Sequence, residues 1–142
     1  MDSGIIFVII TAIVFGAWTV FHQQASSHIN YLFGAILISL TAVVIGTILI
    51  IPQIKSITLY TSTRGIVFAV LTGVCALAVD CFALKAYGSG LPISVGGPLI
   101  IGGSVAIAAI IGFFLGESIT LAKILGLVLV IGGSALLAAF SK

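Results

Sequence analysis

Five long apolar runs divide the chain, separated by short polar or glycine-containing breaks. They cover residues 4–21, 31–51, 64–87, 92–115 and 120–140. Each run is about the 20 residues that an α-helix needs to cross a bilayer. None alternates polar with apolar, as the strands of a membrane barrel must. A helix also satisfies its own backbone hydrogen bonds in lipid. The pattern predicts an all-α fold, a polytopic membrane helix bundle of five transmembrane helices forming one domain over residues 1–142. The first run starts Met-Asp-Ser-Gly without a basic stretch. It is expected to stay in the membrane rather than act as a cleaved leader.

The breaks set the ends of the spans. Residues 22–30 read HQQASSHIN, a predicted polar loop, and residues 52–63 read PQIKSITLYTST. In the second break, Ile54, Ile57, Leu59 and Tyr60 suit the membrane interface. Residues 88–91 form a tight turn, and Pro92 fits the first turn of the next helix. Gly116 and Glu117 mark a shorter structural turn, after which Ser118 or Thr120 can cap the fifth helix. So short a turn makes spans four and five antiparallel neighbours.

Composition sharpens the picture. Charged residues are 6% of the 142, against about 25% in a soluble domain. Eight charges cannot cover a water-exposed surface, so a soluble globular protein is excluded. A disordered chain and a nucleic-acid binder are excluded by the same apolarity. Cys75 and Cys81 share one span, but six residues turn a helix by about 600°, so they point apart and form no disulfide together. They read as small buried thiols. His22 and His28 lie six apart in a loop with no cysteine nearby, so no metal or other cofactor is expected.

Seventeen glycines indicate close helix packing. Span four carries Gly96, Ser104, Ala108, Gly112 and Gly116 on one stripe. Residues 99–109, LIIGGSVAIAA, resemble 129–139, LVIGGSALLAA, thirty positions on. The likeness reflects two small-residue faces rather than a duplication. Pro98, after Gly96 and Gly97, is a helix break that should free the Ser94 carbonyl. A loosened helix beside a Ser hydroxyl suits a ligand, and a packing kink is the plainer alternative.

Seven of the eight charges fall at ends and turns, and Asp80 does not. A carboxylate at that depth costs about 2.5–3.5 kcal/mol on insertion scales and faces a bundle interior or a cavity. Ala69, Gly73, Ala76, Asp80, Ala83 and Tyr87 recur at helical spacing, which predicts a small, polar stripe. Asp80 is therefore a candidate proton-titrating or cation-binding group. A structural ion pair with Lys85 or a hydrogen bond to a neighbouring helix is the alternative, though the five-residue spacing to Lys85 is poor for a pair within the helix. Spans one and three run the same way, so Trp18, His22, Asp80 and Tyr87 fall in the same half of the membrane, the side on which Ser94 starts span four. These five are the candidate substrate- or proton-binding residues. Trp18, His22 and Tyr87 could equally be interfacial anchors. Glu117 and Lys123 read as a cap or local pair at an exposed turn.

Five spans put the termini on opposite sides. Lys55, Arg64 and Lys123 fall on the N-terminal side and Lys85 and Lys142 on the other. This three-to-two bias favours a cytoplasmic N-terminus only weakly and leaves dual topology open. Residues 83–137 resemble the end of an EamA-like module of the drug/metabolite transporter superfamily. The resemblance rests on Ala86-Tyr87 before the turn, a Pro-Leu pair in span four, and Gly116-Glu117. Thr120, Lys123, Gly126 and Gly132-Gly133 follow in the family's order, and Trp18 fits its aromatic position in span one. The resemblance implies a small-molecule transporter of the cytoplasmic membrane, for metabolites or drugs. Typical members have ten spans in two inverted halves. This chain looks like one half, expected to work as a homodimer, parallel or antiparallel, or as a heterodimer with a paralogue. Its expected partners are the lipid bilayer and a small-molecule substrate, with no nucleic acid. Small multidrug resistance proteins, distant relatives, carry their acid in the first span, where this chain has none. Asp80 as a coupling group thus rests on the physical argument. The rival function is a non-transporting scaffold or accessory subunit. No nucleophile, metal or paired-carboxylate constellation suggests an enzyme.

Overall fold

The computed structural model describes residues 3–140. Its five helices are α1 (Ser3–Ser26), α2 (Tyr31–Ile50), α3 (Thr63–Gly88), α4 (Ile93–Phe114) and α5 (Leu121–Ala139). A short 3-10 turn, Ile51–Gln53, extends α2. Among the described residues there is no strand, and all five helices are long and apolar enough to cross a membrane. The chain is therefore all-α and has the character of a multi-pass membrane protein.

Local chemistry explains the ends. Asn30 caps α2, its side-chain oxygen accepting from Leu32 and Phe33 N–H at 3.0 and 3.4 Å. Ser62 caps α3 through the Gly65 N–H. Thr120, not Ser118, caps α5 through the Lys123 N–H. Such caps satisfy donors that the first turn leaves free. Gly116 ends α4 with a φ of 93°. Its N–H donates to Phe113 O and the Glu117 N–H to Gly112 O, the paired bonds of a Schellman turn. Only glycine adopts that left-handed φ without strain, which accounts for Gly116 at this position. Gly90 does the same after α3.

Polar residues within the spans turn inward on their own helices. The hydroxyls of Thr11, Thr41, Thr47 and Thr72 each donate to the carbonyl four residues earlier, at 2.7–2.9 Å. This hides each hydroxyl from lipid. The large apolar side chains are mostly exposed, Phe68, Phe82 and Leu129 among them. In water such a surface would drive aggregation. In a bilayer it faces hydrocarbon.

The described residues form two compact units: the chain up to Val20 together with that from Leu91 onward, and Phe21–Gly90. In Phe21–Gly90, α2 packs on α3. Gly34, near the start of α2, lies against Leu84, near the end of α3, so the two are antiparallel. Ala35, Ala83 and Leu84 form the buried core there. In the other unit α4 packs on α5. Ser134 Oγ lies 3.0 Å from Pro98 O and 2.8 Å from Val130 O, its proton serving either carbonyl. A Cβ on Gly102 would collide with Ser134 Oγ. These contacts fix α4 and α5 as antiparallel neighbours.

Several expectations change. Residues 22–26 continue α1 as helix, so His22 is helical and not in a loop. No Gly or Pro interrupts that stretch, and its polarity alone had suggested a loop. Pro98 sits inside an α4 that continues to Phe114. Of the small-residue stripe only Gly96 and Gly112 are buried; Ser104, Ala108 and Gly116 are exposed, while Gly97 and Gly102, off the stripe, are buried. The two serines of the repeat differ as well. Ser104 bonds its own helix at Ile101 O, and Ser134 reaches across to α4. Lys142, counted in the charge bias, lies outside the described residues.

Candidate functional site

Helix α3 buries one face of its C-terminal half. Asp80, Ala83, Leu84 and Tyr87 are the buried positions, at the i, i+3, i+4, i+7 spacing of one helix face. The polar stripe expected along the whole helix is therefore half present, since Ala69, Gly73 and Ala76 are exposed. Asp80 is 6% exposed and so is removed from its surroundings almost entirely.

The partner of Asp80 comes from the end of α1. His22 Nε2 lies 3.1 Å from Asp80 Oδ1, and His22 is itself 3% exposed. One turn later the Ser26 carbonyl sits close to Gly88, where a Cβ would come within 3.2 Å of it. The missing side chain at Gly88 lets the end of α1 approach α3. That approach is what allows an imidazole to reach a carboxyl 58 residues away. Lys85 is not the partner. Its ammonium sits 5.5 Å from the Tyr31 ring centre and is exposed to the outside of the helix pair.

Tyr87 lies two turns beyond Asp80 on the same face. It is buried, and its hydroxyl has no hydrogen-bond partner among the described residues. Leaving such a group unpaired costs about 1–3 kcal/mol. Between the two polar groups in sequence stands Ala83, which is buried with them. Cys81, next to Asp80 in sequence, is half-buried, whereas Cys75 is exposed rather than buried as expected; both are free thiols.

The other expected site residues belong to the other unit. Trp18 is half-buried, with its ring stacked on Phe15 at 4.9 Å. Ser94 is exposed on the first turn of α4. Gly96 and Gly97 are buried, and Thr19 is the side chain that a Cβ on Gly97 would meet, at 3.5 Å. Glu117 pairs with Lys123 at 3.6 Å, exposed on both sides, and Lys123 also donates to Ser118 O. This is the local pair expected of that turn. Of the five candidate binding residues, the structure joins His22 to Asp80 and sets Tyr87 on the face that Asp80 occupies. Ser134 was not among the candidates. Its place in the repeated Gly-Gly-Ser was the available signal.

A buried imidazole and carboxyl in hydrogen-bond contact share one proton easily. Nε2–H can donate to the carboxylate, or a protonated carboxyl can donate to the neutral ring. Either arrangement keeps the two side chains in contact. No protein-family model, curated protein or solved structure matches the chain.

Proposed function

We propose that this chain is a subunit of a proton-coupled small-molecule transporter, carrying metabolites or drugs across the cytoplasmic membrane. One observation supports the reading most: a buried His22–Asp80 contact inside apolar helices. Intramembrane acids are costly and mark ion and substrate pathways by default. An acid that only anchored a fold would do as well replaced by an apolar side chain. Proton occupancy of the pair sets whether a cationic substrate is bound, so each substrate entry releases a proton. The chain is not an enzyme in this account. Its resemblance to an EamA-like half supports the same direction, with two five-span subunits working as a dimer by alternating access.

The test is reconstitution of the full chain in proteoliposomes with a pH-sensitive dye inside. A panel of small amines and drugs is added outside under a proton gradient. Transport predicts substrate-dependent proton flux that Asp80→Asn abolishes. Flux unaltered by Asp80→Asn removes the pair from the mechanism. Absence of flux with every compound, alongside stable capture of a second membrane protein, favours the scaffold.

A further inference from the structure

A cleft of about 340 Å³ opens where α2 begins and α3 ends, within the Phe21–Gly90 unit. Tyr31 is the first residue of α2, and Lys85 lies in the last turn of α3. Both line the cleft, with Asn30 as a polar neighbour and Ile29 and Leu84 as its apolar wall. Two apolar spans end here, so the cleft lies where a bilayer places its headgroups. Lys85 has no carboxylate partner among the described residues: His22 holds Asp80, and Lys123 holds Glu117. Its ammonium sits 5.5 Å from the Tyr31 ring centre. A cation–π contact occupies one side of an ammonium that carries three donors. The ring thus holds the charge at the cleft and leaves N–H groups for an acceptor. Asn30 offers a second donor. Its Oδ1 accepts the cap bonds of α2, and its amide N–H₂ has no hydrogen bond among the described residues. The Ser26 and Ser89 hydroxyls donate instead to the Gln23 and Ala86 carbonyls. Among the described residues no acid lines the cleft.

We propose that this cleft binds the phosphate of an anionic phospholipid. The Lys85 ammonium donates to a phosphate oxygen in a charge-assisted hydrogen bond, and the Asn30 amide donates to another. The glycerol backbone lies against Ile29 and Leu84. The acyl chains follow the exposed apolar side chains of α2 and α3. A cation without a counter-charge selects by net charge. A zwitterionic lipid brings its own ammonium to the phosphate, and an anionic lipid leaves that place to Lys85. Neither His22 nor Asp80 lines the cleft, so the site stands whether or not that pair serves transport.

Native mass spectrometry of the detergent-solubilised full chain tests it. The protein is titrated with phosphatidylglycerol, or with phosphatidylcholine of the same acyl chains. The first phosphatidylglycerol is expected to bind the wild type about tenfold more tightly, on the order of one hydrogen bond to a charged group. Lys85→Gln is expected to abolish that preference. Lys85 is exposed, so the variant keeps the packing of the helix pair. Lys55→Gln removes the same charge from an exposed position outside the cleft and is expected to leave the preference intact. Equal binding of the two lipids by the wild type overturns the proposal, as does a preference that survives Lys85→Gln. A loss as large with Lys55→Gln shows attraction by net charge alone and overturns the site. Displacement of phosphatidylglycerol by excess inorganic phosphate assigns the cleft to a free anion and overturns the lipid. These titrations involve no gradient and no transported compound. They can fail while Asp80-dependent flux is found, and succeed where it is not.

Discussion

Replacing His22 by leucine tests the contact from the side that carries no fixed charge. The substitution leaves Asp80, 6% exposed, without its 3.1 Å partner. Breaking a buried ion pair by removing one member costs about 3–5 kcal/mol in soluble proteins. Hydrogen bonds between membrane helices measure less, averaging about 0.6 and reaching about 1.7 kcal/mol, since the unfolded helices also find partners. The His22–Asp80 contact lies between these limits, and about 2 kcal/mol is expected for His22→Leu. Asp80→Leu should cost less. It leaves behind an imidazole that can be neutral, and it relieves the membrane of a carboxylate worth about 2.5–3.5 kcal/mol on insertion scales. The double variant should therefore be no worse than Asp80→Leu alone, giving a coupling energy of at least about 2 kcal/mol, the full cost of His22→Leu. Unfolding in mixed detergent micelles measures all four proteins, with the single tryptophan, Trp18, as reporter. Equal losses for the two single variants that add to within about 0.5 kcal/mol would refute an energetic contact between these side chains.

Further outcomes follow from the packing. Gly102→Ala pushes a methyl group into Ser134 and should cost about 1–3 kcal/mol, much of it recovered by Ser134→Gly in the same chain. Thr120→Ala removes the α5 cap and should lower stability by about 1 kcal/mol in the same unfolding assay. Glu117→Gln, at an exposed pair with Lys123, should change stability by less than about 0.5 kcal/mol.

The spans were legible because lipid imposes one simple demand. Runs of about 20 apolar residues announce themselves without knowledge of any contact. The turn between α4 and α5 came nearly as well, since Thr120 and Gly116 act through their own neighbours in sequence. Residues 22–26 failed for a physical reason. Polarity marks where a chain leaves hydrocarbon, not where its helix stops, and α1 runs on to Ser26. The consequence fell on the site: His22 was a candidate by depth, yet its pairing with Asp80 needed the helix to continue. Which face packs was equally hidden. A helix hydrophobic all round has no polar side to point outward, so Ser104 and Ala108 looked as good as Gly102. Only the partner helix distinguishes them. Asp80 stood out because charge is scarce here. Tyr87 was visible as a neighbour on its face, but the isolation of its hydroxyl is a property of the fold alone.

The most direct measurement is proton release on substrate binding. A weakly buffered solution of the detergent-solubilised chain with a pH indicator is mixed with a compound that gives flux in proteoliposomes. The account predicts about one proton released per bound cation in the wild type, from the shared His22–Asp80 pair, and none from Asp80→Asn. Binding with no proton release in the wild type, or release that survives Asp80→Asn, would contradict it.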